Sequence, residues 1–276
     1  MTIASGVSPD ICRERVTAGY NSEGEERDTF VIIDCYDQLW RNTKRVEEFS
    51  AQDRTPEMIL PQMDEAGVDR VVICSLGQSV DNEYIATCAE AYPDRFIAFV
   101  GVNPREDGAV EAIHHYVGER GFRGLKLHPT MNAYSAVNHG LLDPIFAACA
   151  QYRIPVYGHC WHEFWNVPLH WEEMARTFPD VPVIVGHLGM LWHADEAMMV
   201  AARTPNVYVE TSGALPLYVR DALRLCGPEK VLMGTDWPAG DFVLERHKMQ
   251  RTITDDAARR LVEGENMARL LEGYRR

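Results

Sequence analysis

The chain has 276 residues, 46% of them hydrophobic, and its 41 acidic residues exceed its 27 basic ones to give a formal net charge of −14. This length suits one α/β barrel, and the acidic surface disfavours nucleic acid and membranes as partners. No run of about 18 apolar residues predicts a membrane span, no apolar secretion signal opens the sequence, and seven scattered cysteines without a CxxC pair predict reduced thiols in a cytoplasmic protein.

The first 29 residues are polar and lack hydrophobic periodicity, which predicts an N-terminal tail or arm (1–29) ahead of one domain (30–276). From residue 30, short β-branched segments alternate with longer amphipathic ones. The predicted strands are 30–38, 69–76, 95–102, 122–128, 154–160, 181–187, 206–212 and 230–236. The predicted helices are 55–67, 81–91, 108–119, 142–151, 170–178, 193–203, 215–226 and 254–272.

This alternation predicts parallel strands that are joined by right-handed crossovers. Eight strand–helix units favour a closed (β/α)8 TIM barrel. A doubly wound open sheet is the structural alternative, but no GxGxxG or GxxxxGK[ST] motif follows any predicted strand. The sequence therefore predicts an α/β fold: a single-domain TIM barrel with an N-terminal extension.

Polar side chains collect at the C-terminal ends of the predicted strands, where the active sites of such barrels form. They are Asp34, Tyr36 and Gln38 on strand one, Lys126 and His128 on four, Tyr157 and His159 on five, His187 on six, Glu210 and Ser212 on seven, and Asp236 on eight. Period-two alternation places residues 34, 36 and 38 on the barrel-facing side and turns Cys35 and Asp37 toward the helices. One histidine at a strand end is more often structural, but four strands that close with histidine or aspartate predict one shared pocket.

Two loops at the same end contribute aromatic and basic residues. Segment 160–171, CWHEFWNVPLHW, brings three tryptophans, including Trp161, beside the strand-five histidine. These rings would stack on a flat unsaturated substrate or form an oligomer contact, and both interpretations stay open. Arg41, together with Lys44 and Arg45, would receive a substrate carboxylate, unless this loop is only a solvated charged segment.

Seven segments in a fixed order carry a resemblance to a known family. They are IIDCYDQLW, GFRGLKLHP, VYGHC, VIVGHLG, YVETSG, VLMGTDWP and LVEGENMARLL. In order and spacing they resemble the amidohydrolase-related family, which includes aminocarboxymuconate-semialdehyde decarboxylase-like enzymes, lactonases and other metal-dependent hydrolases. The resemblance extends from about residue 30 to residue 271 and implies a TIM-barrel enzyme.

Position by position, the resemblance implies that His159 is a metal-binding histidine, that His187 acts near the substrate, and that Asp236 is a metal ligand and general base. The family's strand-one His-x-His pair falls on Tyr36 and Gln38, and neither is a usual zinc ligand. Catalytic zinc needs three protein ligands and an open position. We therefore expect no tightly bound catalytic metal; a divalent ion such as zinc, if bound, would be held by His159, Asp236 and His187.

Metal-free chemistry is available to these side chains. Asp236 would act as general base on water, oriented by a neighbouring histidine. Lys126, His128 and the Tyr36 hydroxyl would stabilise a developing oxyanion or enolate. The structural alternative for Lys126 is a salt bridge to Glu210 or Asp236 that holds the barrel mouth together.

Three functions follow from this set of residues. Without a metal the electrophile must be reactive, so hydrolysis of a lactone, an ester or a C–N bond in a small, optionally carboxylated molecule is the first expectation. Decarboxylation or hydratase-type lyase chemistry in the same pocket is the second. A non-catalytic barrel that binds a ligand is the third. Each implies a small-molecule partner, and a homo-oligomer is left open.

Overall fold

The computed structural model describes residues 30–41, 52–77 and 80–273. The predicted tail (1–29) and the loop residues Lys44 and Arg45 lie outside the described residues. No helix within these three ranges is long and apolar enough to span a membrane.

Strands and helices alternate in the predicted order along the described part of the chain. The strands are β1 (Ile33–Gln38), β2 (Arg70–Cys74), β3 (Phe96–Gly101), β4 (Gly124–Leu127), β5 (Val156–Gly158), β6 (Val183–Val185), β7 (Val207–Glu210) and β8 (Val231–Leu232). The helices are α1 (Pro56–Ala66), α2 (Asn82–Ala91), α3 (Ala109–Gly118), α4 (His139–Tyr152), α5 (Pro168–Thr177), α6 (Met190–Arg203), α7 (Pro216–Cys226), α8 (Phe242–Thr252), α9 (Asp256–Arg260) and α10 (Asn266–Glu272). Each observed strand lies inside its predicted segment, because the apolar run extends into the flanking loops.

The eight strands form one parallel sheet in sequence order from β1 to β8. Backbone hydrogen bonds then join the last strand to the first. The Cys35 N–H donates to the Met233 carbonyl at 2.9 Å, and the Asp236 N–H donates to the Tyr36 carbonyl at 2.9 Å. The predicted TIM barrel is therefore confirmed, and the open doubly wound sheet is excluded.

The sheet separates two apolar layers. Outward side chains such as Val71 and Val183 pack against the surrounding helices. Inward side chains such as Phe99 form a second cluster, to which α10 adds Met267 and Leu271. Each buried side chain of this kind contributes roughly 1.5–3 kcal/mol. The barrel is thus a filled core, and polar groups collect at its C-terminal end, the barrel mouth. The six cysteines within the described ranges are buried and unpaired.

Strand β1 departs from the predicted alternation because it contains a β-bulge. Its register against β2 shifts between Asp34 and Asp37, and both Cys35 and Tyr36 pack in the inner cluster. The prediction that Cys35 faces the helices was therefore wrong. The Oδ2 of Asp34 accepts the Thr235 hydroxyl at 2.6 Å. An extra residue at a bulge shifts the following side chains by one position, so strict period two fails there.

Helix α8 was not predicted from the sequence. It begins after Asp241, whose side chain accepts the Leu244 N–H at 2.9 Å and caps the helix. Its sequence, FVLERHKMQRT, is mostly polar and buries few side chains, among them Phe242 and Met249, so its hydrophobic period is weak. The predicted last helix, 254–272, consists of α9 and α10 joined by a π-helical turn over Leu261–Glu265.

Candidate active site

Aromatic and basic side chains from different strands meet at the barrel mouth. Tyr36 of β1 and Tyr157 of β5 stack with ring centroids 4.2 Å apart. The Lys126 Nζ of β4 lies 4.0 Å from the centroid of each ring. The His187 ring, which follows β6, lies edge-on to Tyr36 at 5.6 Å. Four strands therefore contribute to one cluster.

Three histidines extend this cluster. His128 and His159 stack with ring centroids 3.7 Å apart, and His187 Nε2 lies 3.1 Å from His159 Nδ1. The Met131 N–H donates to His128 Nδ1 at 3.3 Å. Burial lowers the pKa of each of the three histidines well below its usual value. The rings are therefore neutral near pH 7, and each carries one proton.

A hydrogen-bonded chain continues from His187 into the barrel. His187 Nδ1 lies 2.8 Å from Ser212 Oγ, and the Ser212 hydroxyl donates to Glu210 Oε2 at 2.9 Å. The same carboxylate oxygen accepts the Tyr157 hydroxyl at 2.6 Å. Sequence reasoning placed these three partners at strand ends but gave them no part in catalysis. The signal was present in the Glu-x-Ser spacing, because residues two apart share a strand face.

Two glycines make this arrangement possible. A Cβ at Gly234 would lie 2.4 Å from Glu210 Oε1, and a Cβ at Gly186 would lie 2.5 Å from the Tyr157 hydroxyl oxygen. Only a residue without a side chain allows such close approach. The backbone is therefore shaped around the Glu210–Tyr157 pair.

Asp236 follows β8 and is held from β1. The Gln38 side chain donates from Nε2 to Asp236 Oδ1 at 2.9 Å. The two neighbours of Asp236 in the chain are fixed by buried aspartates. Thr235 donates its N–H to Asp34 Oδ1 at 3.0 Å, and the residue after Asp236 donates its N–H to Asp37 Oδ1 at 2.8 Å. The position of this carboxyl is therefore set by the backbone on both sides.

Two of the candidate residues have unusual backbone conformations. Asp236 has φ 61° and His187 has φ 57°, which is the left-handed region that favours glycine. Such a conformation costs about 1–2 kcal/mol per residue. Backbone strain of this kind concentrates at functional sites, and here it occurs at the ends of β6 and β8.

Lys126 and Asp236 are buried close enough to interact. Burial raises the pKa of Asp236 to about 7, opposed by the Lys126 ammonium and the Gln38 hydrogen bond. Burial lowers the pKa of Lys126 to about 8. Lys126 Nζ has no hydrogen-bond partner among the residues that the structure describes, so the alternative of a hydrogen-bonded salt bridge to Glu210 or Asp236 is not formed. Burial therefore moves the pKa values of this cation and this carboxyl toward each other.

The aromatic side chains of the loop after β5 differ in how far they are buried. Trp161 is half-buried and lies edge-on to His187, with ring centroids 4.8 Å apart. Phe164 and Trp165 are exposed, whereas Trp171 is fully buried beneath β5. Trp161 is thus the tryptophan of this loop that borders the histidines.

Arg41 already has an acidic partner. Its guanidinium pairs with Asp81 at 2.6 Å and lies 5.0 Å from the Tyr84 ring centroid. An exposed pair of this kind contributes little to stability. The predicted role of Arg41 as a carboxylate receptor would require it to give up this ion pair.

The predicted metal ligands bond to other groups. His159 Nδ1 and His187 Nε2 face each other at 3.1 Å, and Asp236 Oδ1 accepts from Gln38. The Lys126 ammonium near Asp236 repels a cation. Within the described ranges, no three His, Cys, Asp or Glu side chains are grouped to hold a metal ion. In this arrangement the residues do not fit a metal.

Several solved structures share this fold. The 2,6-dihydroxybenzoate decarboxylase from Rhizobium matches with a TM-score of 0.71 and 17% identity, over 88% of this chain and 99% of that one. The 5-carboxyvanillate decarboxylase from Sphingomonas paucimobilis gives 0.69 and 17%, over 88% and 99%. A 5-carboxyvanillate decarboxylase from Novosphingobium aromaticivorans, solved with bound manganese, gives 0.69 and 16%, over 88% and 97%. At these identities the likeness shows the fold alone.

No curated protein matches the sequence. The model of the amidohydrolase family matches residues 44–273. Because this range begins after β1, the correspondence of Tyr36 and Gln38 to a His-x-His pair stays a prediction. The other seven strands and all the described helices lie inside the match, and the chain belongs to the amidohydrolase family of enzymes.

Proposed function

We propose that this enzyme decarboxylates a small hydroxylated carboxylic acid at the barrel mouth, with Lys126 and Asp236 as its central groups. One observation carries the proposal. A buried cation without a hydrogen-bond partner among the described side chains and backbone lies near a carboxyl whose pKa burial raises to about 7. An anionic substrate would accept hydrogen bonds from the Lys126 ammonium, and the Asp236 carboxyl would supply a proton.

Lys126 needs an acceptor that the described residues do not provide. Its Nζ contacts only the faces of two tyrosine rings among the close contacts described, and cation–π attraction replaces only part of the lost hydration. A buried donor without a partner costs free energy that a ligand can recover. A substrate carboxylate would accept its protons and would be oriented by them.

Burial raises the pKa of Asp236 toward neutrality, so this carboxyl would keep a proton available for decarboxylation. Its proton would pass from Oδ2, the oxygen that Gln38 does not bond, to the substrate carbon that carries the carboxylate. The bond to the carboxylate then breaks, its electron pair returns to the substrate, and CO2 leaves. An acid whose pKa lies near the working pH is effective in such a transfer.

His159 would prepare the substrate for that step. It is neutral because burial lowers its pKa, and its side chain is 12% exposed at the mouth. From this position it would accept the proton of a substrate hydroxyl, which raises the electron density at the carbon to be protonated. The His128 ring, which stacks on that of His159, would limit its rotation, and Trp161 would border the substrate.

The structural neighbours support decarboxylation over the hydrolysis that the sequence favoured first. The two named decarboxylases act on 2,6-dihydroxybenzoate and 5-carboxyvanillate, which are hydroxylated aromatic acids. Several neighbouring decarboxylase structures contain manganese. We infer that Lys126 supplies positive charge in this chain instead, because His159 and His187 bond to each other and Asp236 accepts from Gln38.

The test uses two panels of probes with the full-length protein. The first contains 2,6-dihydroxybenzoate, 5-carboxyvanillate and other ortho-hydroxybenzoates, and CO2 release is measured. The second contains aryl esters and lactones, and hydrolysis is measured. We expect CO2 release from the first panel and, in D2O, one deuteron on the carbon that lost the carboxylate.

Each other outcome decides against the proposal. Hydrolysis of the second panel without CO2 release would assign the site to a hydrolase. Inactivity on both panels, with binding of the acids seen by calorimetry, would favour the ligand-binding barrel.

A further inference from the structure

The chain from Glu210 to His159 has a direction. Glu210 accepts four hydrogen bonds. The donors are the Tyr157 hydroxyl, the backbone N–H of His187, and both the backbone N–H and the hydroxyl of Ser212. Four donors around two oxygens are the environment of an acceptor-only carboxylate. The Ser212 proton is therefore committed to Glu210.

This commitment fixes the proton of His187. Because the Ser212 hydroxyl donates to Glu210, its oxygen can only accept from His187 Nδ1 at 2.8 Å. A neutral imidazole carries one proton, so His187 has Nδ1–H and an unprotonated Nε2. Glu210 thus sets the tautomer of His187 through Ser212. The His187 ring does not bond Glu210 itself, since Nδ1 lies 4.0 Å from Glu210 Oε2.

The same reasoning extends to His159. His187 Nε2 has no proton, so at 3.1 Å it must accept from His159 Nδ1–H. His159 Nε2 is then unprotonated. It lies 3.8 Å from Glu163 Oε1, which is too far for a hydrogen bond but close enough to favour a proton that arrives there.

We propose that Glu210 and Ser212 are positioning residues that set the tautomers of His187 and His159, so that His159 presents a free Nε2 lone pair at the barrel mouth. Burial determines which end of the chain a substrate can reach. Glu210, Ser212 and His187 are fully buried, whereas His159 is partly exposed, so the base is available only at the substrate end.

The tautomers can be read without a substrate. In the full-length protein with 15N-labelled histidine, two-bond 15N–1H correlation spectra identify which ring nitrogen carries the proton. The chain has ten histidines. The signals of His187 and His159 are identified as those that disappear from the spectra of His187→Gln and His159→Gln. We expect Nδ1–H at both His187 and His159. A proton on Nε2 of either ring would overturn the proposal.

Variants then connect the tautomers with turnover, a step that rests on the proposed function. Ser212→Ala removes the acceptor that keeps the His187 proton on Nδ1, so His187 should no longer be restricted to the Nδ1–H tautomer. The variant should also lower kcat on 2,6-dihydroxybenzoate roughly 10- to 100-fold, with KM changed less than about twofold. Ser212→Thr keeps the hydroxyl and should restore the wild-type spectrum.

Tyr157→Phe is the matched control, because it removes a different donor to the same Glu210 oxygen and should leave both tautomers unchanged. An unchanged spectrum in Ser212→Ala would overturn the proposal even if activity falls. If no acid is decarboxylated, the spectra still decide the tautomers, so failure of the proposed function and failure of this inference are distinguished.

Discussion

Two lysines of this chain lie over tyrosine rings, one at each end of the barrel. Lys230 precedes β8 at the N-terminal end, with Nζ 4.7 Å from the Tyr208 ring centroid. It donates to three backbone carbonyls, including those of Thr204 at 3.4 Å and Val207 at 3.2 Å. Lys126 at the mouth has ring contacts of 4.0 Å and no hydrogen bond within the described structure. The folded chain supplies hydrogen-bond acceptors to Lys230, whereas the described residues supply none to Lys126.

Buried carboxylates show the same difference. Glu172 on α5 accepts from Arg176, Arg203 and Thr204, and the hydrogen bond from Arg203 is the main cause that lowers its pKa to about 2. Asp236 at the mouth accepts a side-chain hydrogen bond from a neutral amide, and burial raises its pKa to about 7. Polar groups that satisfy one another hold the fold together. Those left incomplete at the mouth are available to a substrate.

The largest expected effect comes from Asp236→Asn. Asparagine tolerates the left-handed backbone of this position but cannot donate an acid proton to carbon, so kcat on 2,6-dihydroxybenzoate should fall roughly 10²- to 10⁴-fold. The control is Asp180→Asn, an exposed residue in the turn before β6, which should keep wild-type turnover. If Asp236→Asn works at the parent rate, the proton donor lies elsewhere.

The two lysines give the next contrast. Lys126→Met should lower kcat/KM about 100-fold and leave the free energy of unfolding unchanged or raised, because it removes a buried charge without a hydrogen-bond partner. Lys230→Met should lower the free energy of unfolding and leave kcat/KM unchanged. It removes one donor from each of three exposed or partly buried carbonyls, so the free energy of unfolding should fall by roughly 1 kcal/mol, with turnover retained.

Denaturant unfolding and steady-state assays of both lysine variants measure the contrast. Equal stability losses in the two would contradict the distinction between the barrel ends.

The pH dependence of kcat/KM, which reports the pKa values of the free enzyme, distinguishes an acid from a base at Asp236. Its pKa is raised to about 7, so the protonated form dominates below pH 7 and decreases about tenfold per pH unit above it. Decarboxylation should therefore slow as pH rises through 7. The decline should be steeper above pH 8, because the pKa of Lys126 is lowered to about 8. A rate that rises between pH 6 and pH 8 would instead support the general-base role that the sequence suggested.

The sequence predicted the barrel because its strands are apolar runs at regular spacing. It did not predict the bulge in β1, since a one-residue slip between Asp34 and Asp37 changes side-chain direction without changing composition. Helix α8 was missed for a related reason: its few buried residues give no clear period, and the Asp241 cap is recognisable only when the helix is already known.

At the site, the strand-end rule identified which residues to consider, but not how they pair. The family resemblance implied that His159, His187 and Asp236 would be the ligands if a metal is bound. Their hydrogen bonds depend on distances of about 3 Å between side chains that are far apart in sequence. The Tyr157–Glu210 hydrogen bond likewise depends on backbone space at Gly234 and Gly186, which no spacing rule reveals.

The smallest expected effect is that of metal. If Lys126 supplies the positive charge, chelator treatment or added Mn²⁺ should leave kcat unchanged, because the ammonium repels a second cation and the histidines bond each other. The same repulsion predicts that Tyr36→His with Gln38→His gains little Mn²⁺ affinity by calorimetry, whereas adding Lys126→Met to that pair creates a binding site. Loss of activity on chelation would contradict the metal-free mechanism, and tight Mn²⁺ binding by the double variant would show that Lys126 does not control the cation at this position.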